Sequence, residues 1–349
     1  MPLLLKWFYT HARDLPWRRT RDPYAIWISE IMLQQTQVKT VLPFWQRWMQ
    51  TFPNVHALAA ADPERVLKLW EGLGYYTRAR NLHAAAKIIV QKSGGEFPRD
   101  FAEVIALPGI GRYTAGAICS IAFNQPAPIL DGNVIRVLTR VFGIRAPVRA
   151  RRTTDRLWQL AEDLVQLAAR ANTSKHQRCS RLNQSLMELG ALVCLPREPK
   201  CDVCPLAPHC VARQQGRIEN LPNLAKRAPA TARTFVAFVA QVDDYYLVRQ
   251  RPAAGVNARL WEFPNQEVEA PFDAARIAAR LFSMASARLE HLCQVRHTIT
   301  RYRITVEFFR ALFAIRPAIL NEGPARWCRR AELVKLAFPS AHRRIADLL

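Results

Sequence analysis

Long apolar runs are absent from this chain of 349 residues, although half of its residues are hydrophobic. A membrane-spanning helix needs about 20 consecutive apolar residues, so we expect no transmembrane segment and no membrane partner. The first residues, MPLLLKWFYT, also lack the apolar core of a signal peptide, because Lys6 follows only three leucines. These absences predict a mature intracellular protein of the cytoplasm.

Acidic residues are too few to balance the basic ones: 28 Asp and Glu stand against 50 Lys and Arg, a net charge of +22 at pH 7. Polybasic blocks and a basic amphipathic terminus are absent, which argues against attraction to a membrane surface. The basic excess is present in residues 1–225 and again in residues 226–349. A positive field spread in this way favours a polyanion, and nucleic acid is the first candidate.

Strand-like alternation and internal repeats are absent from residues 1–225, which have helical patterns. Asp22-Pro23 is a typical helix start and predicts a helix through Tyr24–Gln37. From about residue 215 the chain is polar and proline-containing, and two β-rich runs separated by Asp243-Asp244 then predict a hairpin. We therefore predict an α+β chain of two domains: an all-α domain (1–214), a linker (215–232) and an α/β domain (233–349).

Four of the eight cysteines share one short stretch, with the spacing C-x6-C-x2-C-x5-C. An intracellular chain argues against disulfides. Zinc sites usually use two separated pairs, whereas one pair flanked by single cysteines suits a compact loop around an iron–sulfur cluster. The spacing alone leaves the cluster and zinc open. The four positions are Cys194, Cys201, Cys204 and Cys210.

A glycine-containing turn lies between two helical segments, in the stretch LPGIGRY. Gly109 and Gly111 allow backbone angles that other residues resist, and the turn exposes amides at the start of a helix from about Tyr113. Helix N-termini bind phosphate groups, so Gly109, Gly111 and Arg112 are predicted phosphate contacts. The simpler alternative is a plain helix–helix turn.

Two carboxylates have contrasting surroundings. Asp131 follows an apolar run and opens a new helix, so it is a predicted N-cap that the helix dipole keeps ionised. Glu30 is the only charged residue between Tyr24 and Gln37, and its apolar neighbours indicate burial, which would retain a proton for donation. One protonated acid and one ionised partner suit cleavage of a glycosidic bond through a sugar cation. The alternatives are a structural cap and a surface glutamate.

The cysteine loop, the turn LPGIGR and the segments SEIMLQQTQV and DLPWR together resemble the adenine DNA glycosylases, the MutY family of the helix-hairpin-helix or endonuclease III superfamily. The resemblance covers nearly the whole chain. It implies a monomeric, monofunctional enzyme of base excision repair, associated with the nucleoid if bacterial. This enzyme would flip adenine out of double-stranded DNA with A·8-oxoguanine or A·G mispairs and hydrolyse it, leaving an abasic site. It also implies a [4Fe–4S] cluster held by the four cysteines.

The resemblance assigns roles to the remaining candidates. Glu30 would be the general acid, and Asp131, oriented by Asn133, would stabilise the sugar cation. Bifunctional relatives carry a Schiff-base lysine where this chain has Tyr113, so little or no lyase activity is expected. Gln35 and Tyr75 would wedge into the duplex as the base leaves it. The adenine pocket would be lined by Arg13, Leu15, Trp17, Leu33, Gln184 and Met187 with Tyr113.

The C-terminal part resembles the Nudix-like domain that reads 8-oxoguanine in this family, through the segment LWEFP at 260–264. The acidic metal-binding box of Nudix hydrolases is absent after Glu262, so pyrophosphohydrolase activity is not expected. Where relatives carry Phe-Ser-His, this chain has Ile299, Thr300 and Arg301. Thr300 can replace a serine hydroxyl, and Arg301 can contact a phosphate or a guanine edge. The preference for 8-oxoguanine over guanine is therefore a separate question from adenine excision.

Two rival functions fit parts of these observations. The first is a glycosylase of the same scaffold that acts on thymine or uracil mismatches or oxidised pyrimidines. Glu30 within its LQQTQ context and the second domain argue against it. The second rival is a non-catalytic iron–sulfur protein that only binds DNA, against which the presence of both Glu30 and Asp131 argues.

Overall fold

A computed structural model describes residues 1–171, 177–225, 229–286, 288–299, 301–317 and 323–349. Packing divides the chain into two compact units. Unit 1 contains residues 1–60 and 84–226, and unit 2 contains residues 61–83 and 227–349. Among the described residues, no helix has both the length and the apolar character needed to cross a bilayer.

Fifteen α-helices are present in the described parts of the chain, and most of them belong to its first two thirds. They are α1 (Pro2–His11), α2 (Pro23–Leu33), α3 (Val38–Thr51), α4 (Val55–Ala59), α5 (Pro63–Trp70), α6 (Thr77–Ser93), α7 (Phe101–Ile105), α8 (Arg112–Phe123), α9 (Gly132–Val141), α10 (Arg151–Arg170), α11 (Arg178–Leu192), α12 (Val211–Gln214), α13 (Ala274–Phe282), α14 (Arg330–Leu333) and α15 (Ser340–Ala346).

Local sequence signals start the helices of unit 1, and packing between the helices stabilises them. The Asp22 carboxylate accepts hydrogen bonds from the backbone N–H groups of Tyr24 and Ala25, which confirms the predicted start of α2. The predicted end of α2 at Gln37 is wrong, because the helix stops at Leu33 and Gln35 adopts a left-handed φ of 58°. Helix α2 packs on α8, and α11 packs on α1, α8, α9 and α10.

The start of the predicted linker is packed rather than extended away from unit 1. Leu221 is buried, and its carbonyl and that of Ile218 accept hydrogen bonds from the Arg140 guanidinium. The backbone N–H of Val148 donates to the carbonyl of Asn223. These contacts fix the residues that follow the cysteine loop against α9.

Unit 2 contains a mixed sheet of seven described strands, in the order β3-β2-β1-β6-β5, with β4 paired to β1 and β7 paired to β2. The pairing of Val242 with Tyr245 confirms the predicted hairpin around Asp243-Asp244. The strands are β1 (Thr231–Val242), β2 (Tyr245–Gln250), β3 (Trp261–Glu262), β4 (Asn265–Val268), β5 (Arg288–Ile299), β6 (Tyr302–Leu312) and β7 (Ala325–Arg329).

Strand β1 is the centre of unit 2 because both of its faces are buried. Ala237 and Val239 belong to one apolar cluster with the residues of α15, while Val236 and Phe238 belong to a second cluster with α13. Alternate side chains of a strand point to opposite faces, so β1 separates two cores. It runs parallel to β6 over eleven paired positions.

Candidate active site

Unit 1 contains a pocket of about 810 Å³ at the junction of α2, α8, α9 and α11. A volume of this size accommodates a nucleobase with part of its sugar. Most of the predicted site residues line it. They are Arg13, Leu15, Trp17, Glu30, Leu33, Gln35, Gly111, Arg112, Tyr113, Asp131, Asn133, Gln184 and Met187.

Glu30 lies on α2 and is 6% exposed, which confirms the predicted burial. Burial raises the pKa of its carboxyl to about 7, with a further rise from Asp131, while the Tyr113 hydrogen bond and Arg18 oppose the change. A carboxylic acid with this pKa still carries its proton on a large fraction of molecules at neutral pH. Glu30 therefore has the protonation state that a general acid requires.

Tyr113 occupies the second position of α8 and faces Glu30. Its hydroxyl donates a 2.7 Å hydrogen bond to Glu30 Oε2 and lies 3.4 Å from Met187 Sδ. Burial, followed by the charges of Glu30 and Asp131, raises the pKa of this phenol well above its ordinary value. The hydroxyl is consequently a neutral donor rather than a nucleophile. No lysine is among the described residues that line the pocket.

Asp131 caps α9 as predicted, and its two oxygens have separate partners. Oδ1 accepts a 2.7 Å bond from the Val134 N–H, and Oδ2 accepts a 2.9 Å bond from Asn133 Nδ2. The prediction that the helix terminus keeps Asp131 ionised names one of two opposing effects. Burial raises the pKa of Asp131, although both hydrogen bonds and Arg136 oppose that rise. The two N–H donors stabilise the Asp131 anion more than the single Tyr113 hydroxyl stabilises the Glu30 anion.

Arg136 connects Asp131 to the cysteine loop through Asn133. Its guanidinium donates to Asn133 Oδ1 at 2.8 Å, to the Gly190 carbonyl at 2.7 Å and to the Cys194 carbonyl at 2.6 Å. Asn133 is thus held on one side by Arg136 while its amide donates to Asp131 on the other. The orientation of the Asp131 carboxylate depends on this chain of bonds.

A buried carboxylate that the sequence did not reveal, Glu188, organises the opposite wall. Its side chain is 1% exposed and forms a two-pronged pair with Arg13, at 2.9 and 2.7 Å, and a 2.8 Å bond with Arg18. Burial raises the pKa of Glu188, but the hydrogen bonds from both arginines outweigh burial and lower it to about 2. Because two cations share one anion, this wall keeps a net positive charge.

The turn before α8 agrees only partly with the sequence argument. Gly109 has a φ of 77°, which other residues rarely adopt. Gly111 has a φ of −97° and space for a Cβ atom, so the prediction that it needs a glycine conformation is wrong. Arg112 lines the pocket with its guanidinium 4.1 Å from the centre of the Trp158 ring. Trp158, from α10, is a pocket residue that local motifs did not indicate.

The remaining predicted contacts lie apart from this list of lining residues. Tyr75 and Arg301 belong to unit 2 and are both exposed. Tyr75 has a left-handed φ of 46°, and Arg301 donates to the hydroxyl of Tyr302. Thr300 lies outside the described residues. Gln35, by contrast, is one of the lining residues and is exposed at the pocket edge in its left-handed conformation.

The four cysteines of the loop line one small cavity of about 30 Å³ beneath α9. Arg140 contacts two of them: its guanidinium donates to Cys194 Sγ at 3.4 Å, and its carbonyl accepts from Cys210 Sγ at 3.5 Å. No disulfide forms among the cysteines. Within the described ranges, no three ligand-type side chains converge as a single metal ion requires. Four thiols around one cavity are a donor set that an iron–sulfur cluster and structural zinc can both use.

Comparisons with known proteins agree with this arrangement. A family model described as HhH-GPD superfamily base excision DNA repair protein matches residues 28–163, and a NUDIX domain model matches residues 235–348. Adenine DNA glycosylase of Mus musculus is 35% identical, over 98% of this chain and 76% of that protein. Adenine DNA glycosylase of Buchnera aphidicola (subsp. Acyrthosiphon pisum) is 41% identical, over 75% of this chain and 73% of that protein.

Among solved structures, a thermostable thymine-DNA glycosylase is similar with a TM-score of 0.54 and 31% identity. The match covers 61% of this chain and 94% of that one. This likeness supports the predicted helical glycosylase fold of the first part of the chain.

Proposed function

Because the chain belongs to the adenine DNA glycosylase family of the HhH-GPD superfamily, it is a DNA glycosylase of base excision repair, and we propose that it removes adenine mispaired with 8-oxoguanine or guanine. The observation that supports this proposal most directly is the pair of carboxyl groups in the unit 1 pocket. Glu30 has a pKa near 7, and Asp131 accepts two hydrogen bonds from N–H donors. A carboxyl group that keeps its proton and a carboxylate that N–H donors stabilise are the two roles that N-glycosidic cleavage requires.

In the proposed reaction, Glu30 gives its proton to a ring nitrogen of the flipped adenine. This makes the base a neutral leaving group, and the bond from its nitrogen to the sugar C1′ breaks. Asp131 faces the developing cation on the sugar and stabilises it by charge. Water then attacks C1′ and loses a proton, which leaves an abasic site. Tyr113 holds the Glu30 carboxyl in position with its 2.7 Å hydrogen bond.

Asn133 would be a positioning residue in this scheme. Its amide holds one oxygen of Asp131 and leaves the carboxylate facing the pocket. The wall formed by Arg13, Arg18 and Glu188 would receive the edge of the base, with Trp17 and Leu15 as apolar surfaces. We further propose that the enzyme has little AP-lyase activity. Tyr113 stands where bifunctional relatives have a lysine, and its phenol cannot form a Schiff base.

We propose a [4Fe–4S] cluster as the resident group of the cysteine loop, held by the thiolates of Cys194, Cys201, Cys204 and Cys210. When bound, such a cluster supplies four metal–sulfur bonds that fix the loop. The chain supplies the rest of the support: Arg140 bonds the carbonyls of Leu195 and Pro196. A brown protein with a broad visible absorbance band would support this assignment, whereas a colourless protein with bound zinc would contradict it.

Residues 233–349 are proposed to read the base opposite adenine, with Arg301 as a contact and Thr300 as a second contact outside the described residues. The matching family position carries a histidine that this chain lacks. We expect A·8-oxoguanine to remain a substrate, with a smaller advantage over A·G than the Phe-Ser-His relatives have.

Single-turnover excision tests the proposal directly. Duplexes with one A·8-oxoguanine, A·G, A·T or G·T pair would be incubated with the native protein, Glu30→Gln, Asp131→Asn and the exposed control Glu96→Gln. We expect adenine release from the first two duplexes only, by the native protein and the control. Release of thymine from G·T would favour the pyrimidine rival. No release by a folded, cluster-loaded protein would favour a non-catalytic DNA-binding role.

A further inference from the structure

The loop between α5 and α6 presents Tyr75 at the surface of unit 2, and its backbone has an unusual conformation. We call residues 72–75 the tyrosine loop. Three of its four residues are left-handed, with φ of 104° at Gly72, 69° at Gly74 and 46° at Tyr75. Glycine adopts such angles readily, but a bulky aromatic residue does so only where surrounding contacts hold the backbone in place.

Side chains from both neighbouring helices hold the tyrosine loop. The Trp70 indole N–H donates to the Gly74 carbonyl at 3.0 Å. The Arg78 guanidinium donates to the carbonyls of Leu73 and Gly74, at 2.9 and 3.1 Å. Arg78 also lies over the rings of Trp70 and Tyr75, 5.1 and 5.8 Å from their centres. The loop is therefore fixed along its own length.

The two residues that flank the tyrosine loop both bind Phe338, which belongs to one apolar core of the sheet. Glu71, directly before the loop, accepts a 2.8 Å hydrogen bond from the Phe338 N–H. Tyr76, directly after the loop, donates a 3.2 Å bond to the Phe338 carbonyl. Phe338 is fully buried and packs on Phe263, with 5.7 Å between the ring centres. Both ends of the loop are thus attached to one point in the core of unit 2.

Glu71 has two further donors besides the Phe338 N–H. Arg343, on α15, donates from Nε to Glu71 Oε1 at 2.8 Å, and its guanidinium lies 4.9 Å from the centre of the Phe338 ring. The Lys68 ammonium pairs with Glu71 Oε2. The side chains of Glu71 and Arg343 are only 12% and 16% exposed. Three donors, two of them charged, hold this carboxylate in one orientation.

A second ion pair on α5 shows how Glu71 differs from an ordinary surface contact. Glu64 pairs with Arg326 of β7 at 3.8 Å, and both side chains are nearly half exposed. Surface pairs of this kind contribute little to stability. The partners of Glu71 are closer and largely shielded from water, and Glu71 adjoins the tyrosine loop. These differences indicate that the Glu71 contacts determine the conformation of the loop and do more than attach α5.

We propose that Glu71 and Arg343 are positioning residues, which act through Tyr75 on the flipping of the base and not on cleavage of the glycosidic bond. The inference rests on the proposed adenine excision and on the predicted insertion of Tyr75 as the base leaves the duplex. An inserted ring offsets the cost of unstacking only through the contacts that it makes with neighbouring bases. The attachment to Phe338 fixes the direction of that ring before DNA binds.

A fluorescent base measures flipping separately from cleavage. The duplex carries 2-aminopurine in place of adenine, opposite 8-oxoguanine, because the fluorescence of 2-aminopurine rises when the base leaves the stack. Every protein in this assay carries Glu30→Gln, so that the base is retained. Adding Glu71→Ala should lower the flipping equilibrium constant at least about tenfold, since the loop loses its fixed direction. With Glu30 intact, Glu71→Ala should slow single-turnover excision by a similar factor.

Two matched variants accompany Glu71→Ala. Glu71→Gln retains an oxygen that can accept the Phe338 N–H, so it should lose less flipping than Glu71→Ala does. Glu64→Ala is the control, because it removes a carboxylate and an ion pair from the same helix at a distance from the loop. It should keep native flipping and excision. Thermal unfolding would verify that each protein is folded at the assay temperature.

A double variant with Tyr75→Leu separates positioning from a purely structural role. If Glu71 acts through Tyr75, Glu71→Ala should cause no further loss of flipping or excision in the Tyr75→Leu protein. A structural role would reduce both by the same factor in either background, and that result would overturn the proposal. Native flipping in Glu71→Ala would overturn it as well. Should Glu71→Ala fail to fold, Arg343→Lys carries the same comparison, because it alters only one of the three donors.

The native protein distinguishes failure of this inference from failure of the proposed function. If the native protein releases no adenine and the Glu30→Gln protein gives no rise in fluorescence, the proposed function is contradicted, and this inference with it. If both signals are present and Glu71→Ala leaves them unchanged, only the positioning role is contradicted.

Discussion

A proton on Glu30 is retained mainly by burial, with a smaller contribution from the charge of Asp131. Burial raises its pKa to about 7, and Tyr113 and Arg18 only moderate that rise. A general acid must be protonated before the reaction, so activity should be greatest below this pKa and decline above it. Two predictions at the scale of this residue follow from the sign of the shift.

The first prediction concerns excision rate against pH. The single-turnover rate constant should fall about tenfold per pH unit once the pH exceeds about 7, because only the protonated fraction of Glu30 donates. Glu30→Gln cannot donate and should lose a factor of at least about 10². The exposed Glu96→Gln protein should keep the native profile. A native rate that stays constant between pH 6 and pH 9 would remove Glu30 from the role of acid.

The second prediction concerns stability. Unfolded Glu30 has an ordinary pKa of 4.5 and folded Glu30 one of about 7, so folding takes up a proton between these values. The native protein should therefore lose stability as pH rises from 4.5 to 7, by up to about 3 kcal/mol. Glu30→Gln should lack this loss. Urea unfolding at pH 5 and pH 8 measures it, and the difference between Glu96→Gln and native protein should not change with pH.

Residues differ in how far the sequence alone could predict their roles. The apolar neighbours of Glu30 along α2 predict its burial, so the local sequence is sufficient to identify it. Glu188 pairs with Arg13 across 175 positions of sequence, and nothing local marks that partnership. Asp131 was predicted as a cap correctly, but the direction of its pKa shift depends on how deeply the surrounding helices bury it.

At the scale of elements, α9 and α11 approach closely on the side of the catalytic carboxylate. The close approach depends on Gly190, because a Cβ atom there would lie 2.5 Å from Asn133 Cβ. Gly190→Ala should therefore separate the two helices, destabilise unit 1 by about 1–3 kcal/mol and reduce excision. Gly132→Ala serves as a control for stability, since a Cβ atom there meets nothing within 4 Å. Equal urea midpoints for the two variants would contradict the packing argument.

The link from α9 to the cysteine loop gives another prediction. The Arg136 guanidinium donates hydrogen bonds to Asn133 and to the carbonyls of Gly190 and Cys194. A lysine has a single ammonium group, which cannot reach these three acceptors together. Arg136→Lys should slow excision about tenfold to a hundredfold by freeing Asn133. The exposed Arg145, whose guanidinium bonds Gln215, provides the control Arg145→Lys. Native single-turnover rates for Arg136→Lys would show that Asp131 keeps its orientation without this bond.

Element boundaries were predicted where the chain carries a local signal. Asp22 and Asp131 each cap a helix that was predicted at that point. The end of α2 was missed because the residues directly after Leu33 contain neither glycine nor proline. The chain nevertheless leaves the helical conformation by Gln35. The parallel pairing of β1 with β6 was also beyond local reasoning, since no turn connects the two strands.

For the whole molecule, the net charge of +22 is the feature with the widest consequence. Lysine and arginine contacts with phosphates release counterions, so affinity for duplex DNA should fall at least tenfold between 50 and 200 mM salt. Fluorescence anisotropy with a labelled duplex measures this, and thermal unfolding over the same range shows that the protein stays folded. An affinity independent of salt would contradict the electrostatic reading of the composition.

The grouping of residues 61–83 with unit 2 has a consequence for how the protein is made. Glu71 accepts hydrogen bonds from the Phe338 N–H and from Arg343, and Tyr76 donates to the Phe338 carbonyl. At about 5–20 residues per second of synthesis, the ribosome needs tens of seconds to reach these partners after it has made Glu71. During that interval residues 61–83 have left the ribosome without their partners. A chaperone would therefore bind this segment in nascent chains.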